Sequence, residues 1–113
     1  MRIVSDSIPR AEIREMAQNL FGDMVKGVVD VERGCLALDA ELHADLETAL
    51  LEQGSQQKHL WGINLYPDVT GPEWLEFDSM INIRPGQGNR SRGVEDAMIR
   101  DRIREIVGQR VKG

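Results

Sequence analysis

The sequence predicts an α+β domain built on a mainly antiparallel sheet of four to five strands, with helices packed on one face. Three observations lead there. Apolar residues at helical spacing occupy the two ends of the chain and a short middle stretch, two pairs of extended apolar segments lie between them, and the connection within each pair contains Gly. The order is helix, two strands, short helix, two strands, helix, which favours hairpins.

Residues 9–21 predict the first helix. Ile13, Met16, Ala17 and Leu20 form one stripe, Pro9 suits the first turn, and Gly22 supplies a left-handed stop. Valines predominate from Met24 to Val31, and a second extended run opens at Cys35 after Glu32-Arg33-Gly34, where Gly34 can take positive φ. Residues 36–47 carry two patterns at once. Leu36, Leu38, Ala40, Leu42, Ala44 and Leu46 alternate with Asp39, Glu41, His43, Asp45 and Glu47 as in a strand, while Leu42, Leu46, Ala49 and Leu50 make a helical stripe. A strand to about His43 followed by a helix over 44–53, ended by Gly54, reconciles them.

Leu60–Tyr66 and Trp74–Arg84 predict a second hairpin across the Pro- and Gly-containing loop 67–72. Trp61, Ile63 and Leu65 should face inward with Leu75, Phe77, Ile81 and Ile83, leaving Asn64, Tyr66, Glu76, Asp78, Asn82 and Arg84 on the other face. If residues 66 and 74 pair, Asn64 lies opposite Glu76. Residues 85–93 form a loop by composition, and Asp96 caps a closing helix over 97–111 with the stripe Ile99, Ile103, Ile106, Val107 and Val111.

The 113 residues suit one core, and no repeat or linker divides them, so residues 1–113 are expected to be a single domain. No run approaches the roughly 20 apolar residues of a membrane helix, and the amino terminus lacks the apolar stretch of a signal peptide. Cys35 is the only cysteine, too few for an internal disulfide or a zinc knuckle, which fits a reducing cytoplasm. Nineteen acidic against fourteen basic residues give a net charge of −5, which disfavours general nucleic-acid binding.

The strings Gly27-Val28-Val29-Asp30-Val31-Glu32, Glu41-Leu42-His43-Ala44-Asp45, Leu60-Trp61-Gly62-Ile63-Asn64-Leu65-Tyr66-Pro67 and Phe77-Asp78-Ser79-Met80-Ile81-Asn82-Ile83-Arg84-Pro85, with Asn89-Arg90-Ser91-Arg92 beyond, carry a resemblance over nearly the whole chain. In them the chain resembles a family of small prokaryotic proteins catalogued as a domain of unknown function. The resemblance implies a single domain and brings no known activity with it. Pro9 departs from the capping Ser expected there.

Three groups are candidate sites. Glu41, His43 and Asp45 would share one strand face, fit either to hold a divalent metal or to orient a general-base histidine, unless the backbone turns helical at Ala44 and takes Asp45 away. Asn64, Glu76, Asp78, Asn82 and Arg84 could hold a metal or a small polar ligand. Arg84, Arg90 and Arg92, with Asn89 in the Gly-rich loop, could hold a phosphate or carboxylate, although neither a Walker loop nor a dinucleotide fingerprint is present. Against these stand plainer alternatives: a solvated sheet face, and arginines paired with neighbouring acids.

Two function classes follow. One is an interaction or ligand-binding protein, homodimeric through a sheet edge or terminal helix, with a small anionic ligand or a partner protein at the Arg loop. The other is a small hydrolase-like enzyme with His43 as base or metal ligand, Glu41, Asp45 and Asp78 as ligands or orienting carboxylates, and Arg84 or Arg90 as anion holder.

Overall fold

In the computed structural model of residues 1–113, the elements in chain order are β1 (Arg2–Val4), β2 (Ile8–Pro9), α1 (Arg10–Asn19), β3 (Val25–Asp30), β4 (Cys35–Leu38), α2 (His43–Glu52), β5 (Leu60–Leu65), β6 (Leu75–Glu76), α3 (Ala97–Arg110) and β7 (Val111–Lys112). Five strands form an antiparallel sheet in the spatial order β1-β4-β3-β5-β6, and β2 pairs with β7 in a separate parallel ladder. The expected α+β class and antiparallel sheet are therefore present. Neither β1 nor the β2–β7 pair was anticipated, because two- and three-residue strands carry too few positions to display a period.

The helices do not share one face. Ile13 and Ala17 of α1 and Ile103, Ile106 and Val107 of α3 pack against Val25, Val29, Leu36, Leu38, Ile63 and Leu65. On the opposite face, Leu46 and Leu50 of α2 cover Val28, Cys35, Ala37 and Leu60. The central strands allow this because they are apolar on both sides; all four residues of β4 are buried.

The ambiguous stretch resolves in favour of helix. β4 stops at Leu38, where Asp39 turns the chain with φ 75°, and α2 starts at His43. Helical spacing buries Leu46 and Leu50 completely, whereas Leu42, which both patterns grouped with Leu46, precedes the helix in extended conformation and is left 56% exposed. At the β3–β4 turn, buried Asp30 accepts the backbone N–H groups of Glu32 and Arg33 at 2.9 Å each, with Gly34 at φ 70°. α3 is capped by Asp96, whose Oδ1 accepts the Met98 N–H at 2.8 Å.

The second hairpin has the expected register, Asn64 opposite Glu76 and Leu65 opposite Leu75, but its second strand ends at Glu76 instead of Arg84. Ser79 accepts the Ile81 N–H with its hydroxyl, one 3₁₀ turn follows over Met80–Asn82, and residues 78–83 fold across the α2-covered face. Gly62 permits the close approach: a Cβ there would lie 2.5 Å from Ser79 Cβ. Had β6 continued, residue 78 would have paired with Gly62. The Asn82 side chain does so in its place, Oδ1 accepting the Gly62 N–H at 2.8 Å and Nδ2 donating to Gly62 O at 3.0 Å and to Arg92 O at 2.9 Å. Ile81 consequently packs with the α2-side core rather than beside Phe77, and Ile83 is 38% exposed.

Replacing Asn82 by Ala leaves two buried backbone groups of Gly62 and the Arg92 carbonyl without that partner, a loss of about 2–4 kcal/mol. Urea unfolding should show a lower midpoint at an unchanged m-value; a change below about 0.5 kcal/mol would show that water replaces the amide without cost.

Candidate functional site

The fold-back of residues 78–83 and the first turn of α2 enclose a cleft of about 450 Å³ above the polar side of β3, β5 and β6. Its floor is a row in register across three adjacent strands: Lys26 pairs with Asn64, and Asn64 with Glu76. His43 enters from the start of α2, Tyr66, Asp78 and Arg92 border the row, and Met24, Leu42, Met80 and Ile81 supply apolar walls.

Asn64 is 5% exposed. Its Nδ2 donates to Glu76 Oε1 at 2.8 Å and to Asp78 O at 3.2 Å, while its Oδ1 is buried and meets no donor. Tyr66 donates its hydroxyl to the same Glu76 oxygen at 3.1 Å; burial, and then the Glu76 charge, push the phenol pKa up, which keeps that proton on Tyr66. Arg92 Nε meets Asp78 Oδ1 at 2.6 Å.

His43 is 9% exposed and donates Nε2–H to Ile63 O at 2.8 Å, so in the neutral ring Nδ1 is the acceptor. Burial lowers its pKa below 6.5, and the Lys26 charge adds to this. The Ile63 carbonyl, the Asn64 side chain and the Asp78 charge act in the opposite direction without cancelling it. The imidazole is neutral at neutral pH, held by a backbone carbonyl and not by a carboxylate.

The anticipated groups are regrouped. His43, Asn64, Glu76, Asp78 and Arg92 do line one cleft, although they come from three different candidate sets. Glu41 and Asp45 are exposed and do not line it. With helix beginning at His43 the strand alternation that would have aligned the three side chains is gone, and no three His, Cys, Asp or Glu side chains gather anywhere as a metal-holding group. The expected Glu41–His43–Asp45 metal centre, and Asp45 as a catalytic partner, are corrected accordingly. Asp39 pairs with the amino terminus at 3.7 Å.

The Arg loop is corrected too. Arg84 donates to Gln57 O and Leu60 O and lies 4.2 Å over the Trp61 ring, pinning the connection before β5. Buried Asn82 and Asn89 spend their amides on the backbone: Asn89 Nδ2 donates to Asn82 O and Gly93 O at 2.8 Å each, and its Oδ1 accepts the Glu95 N–H at 2.8 Å. Arg90 is exposed and makes no side-chain ion pair. The backbone N–H groups of Arg90 and Ser91, suited to an anion, already donate to Glu95 Oε2 at 2.6 and 2.9 Å, and these two bonds pull the Glu95 pKa down. An anion is thus bound in the loop, but it belongs to the chain.

Sequence reasoning missed Lys26 as a site residue. Its signal is faint, a single cation between Val25 and Gly27-Val28 in an apolar strand, and only the register across β5 gives it a role.

A family model described as Protein of unknown function (DUF5674) matches residues 2–110. No curated protein and no solved structure matches the chain. No helix is long and apolar enough to cross a membrane.

The state of His43 sets a pH dependence. Below 6.5 the unfolded chain binds a proton on this residue that the folded chain does not, so its contribution to stability is complete above 6.5 and is lost as pH falls from there toward the depressed native pKa. His43→Gln should flatten this part of the urea-midpoint profile between roughly pH 7.5 and 5. An NMR titration placing the His43 imidazole above its ordinary value would contradict the assignment.

Proposed function

Because the chain belongs to the DUF5674 family, whose description carries no activity, we propose from the geometry that it is a ligand-binding domain and that the cleft between α2 and residues 78–83 is its binding site. The observation that carries this reading is the Lys26–Asn64–Glu76 row at the cleft floor, whose two end charges pair with no group in the chain, beside a neutral, nearly buried His43. The volume of about 450 Å³ falls within the usual range for small molecules, roughly 300–1,000 Å³. Leu42 and Met80, 56% and 65% exposed, give an apolar ligand body something to cover.

Lys26, Arg92, Glu76 and Asp78 balance one another in formal charge, so the cleft is not an anion trap, unlike the loop site first expected. A hydrolase has less support. The His43 N–H is committed to Ile63 O, no carboxylate orients the ring, and the buried Ser79 hydroxyl caps the following turn.

Screening small polar metabolites at millimolar concentration against ¹⁵N-labelled protein should give amide shifts converging on residues 43, 64 and 76. Asn64→Leu and the wall variant Met80→Trp, which touches no buried hydrogen bond, should each abolish them. If no compound shifts this set, or the shifts persist in Met80→Trp, the cleft is not the binding site.

A further inference from the structure

Resting on that binding site, we infer that its ligand is a zwitterion of the amino-acid type, with the ammonium seated against Glu76 and the carboxylate against Lys26. The cleft holds four formal charges, and two cancel: Arg92 is ion-paired with Asp78 at 2.6 Å. Lys26 and Glu76 form no ion pair with any group in the chain. They cannot meet easily, because the strand carrying Asn64 separates them, and with neighbouring strands about 4.8 Å apart their Cα atoms stand roughly 10 Å from each other. The Lys26 ammonium lies over the Phe21 ring, 5.3 Å from its centroid. What remains is one positive and one negative group at opposite ends of a row, with a polar residue between.

The negative end is also rich in acceptors. The neutral His43 offers only Nδ1, and Glu76 keeps its Oε2 while Oε1 takes both the Asn64 and Tyr66 donors. A group with several N–H donors and positive charge satisfies this end, and a primary ammonium has three. A bare anion would meet these acceptors with no donor of its own. A bare amine would leave Lys26 unpaired and face its repulsion. A molecule carrying both charges, with a side chain against Leu42, Met80 and Ile81, complements every part of the cleft.

The test titrates the common L-amino acids individually into ¹⁵N-labelled protein, then compares the best binder with its decarboxylated amine and its deaminated acid. The intact amino acid should bind about tenfold or more tightly than either half-molecule, the scale expected for losing one charge-assisted contact. Lys26→Met should erase the advantage over the amine and Glu76→Gln the advantage over the acid, each with an unchanged circular-dichroism spectrum. Equal binding by either half-molecule overturns the inference. Shifts at residues 43, 64 and 76 caused by other metabolites but by no amino acid also overturn it, while leaving the binding site in place. Silence from every compound removes both.

Discussion

The side-chain amide of Asn82 clasping the backbone of Gly62 is the constraint on which the cleft side of the molecule depends. One short side chain makes the two hydrogen bonds that a continuing β6 would have made, and a third to Arg92 O ties in the loop behind it. Because the amide replaces a strand, residues 78–83 are free to leave the sheet plane, and the absence of a Cβ at Gly62 lets Ser79 settle against it. The cleft lies where the β5–β6 pairing stops at Asn64 and Glu76, two residues before this contact. Asn89 supports the clasp from the loop side by gathering three carbonyls, those of Asn82, Ser91 and Gly93, on its own Nδ2.

The other end of the sheet is secured by different means. α3 reaches the β3–β4 turn through Arg102 Nε to Val31 O at 3.2 Å and Arg110 Nε to Gly34 O at 2.9 Å. Beyond it, Val111 pairs with Ile8, so the two termini are joined by backbone hydrogen bonding. The α1 and α3 face therefore holds the larger core, and the α2 face, with its smaller one, has room for a cleft beside it.

Outside the cleft, several charges are paired locally: Arg14 with Asp68, Arg102 with Glu105, and the loop N–H groups with Glu95. Such exposed pairs contribute little to stability, of the order of 0–1 kcal/mol each. Inside the cleft, burial suppresses the His43 charge, and the strand between Lys26 and Glu76 keeps those two apart. The overall acidity of the chain does not predict this balance, which arises from register.

The sequence by itself determined the α+β class, the three helices to within a few residues, the Asp96 cap, both hairpins and the placing of Asn64 opposite Glu76. Each follows from local periodicity or turn chemistry, which neighbouring residues decide among themselves. Tertiary structure alone decided the rest. Whether 39–47 continued as strand or turned into helix depended on Leu46 and Leu50 finding the second face of the sheet. Whether Asn82, Arg84 and Asn89 served a ligand or the backbone depended on which unpaired groups came near them, and these lie in segments far apart in the chain. The polar sheet face was legible as composition; its division into structural clasps, an internal anion site and an open dipolar row was not, because hydrogen-bond partners across strands are set by three-dimensional register and leave no period in the sequence.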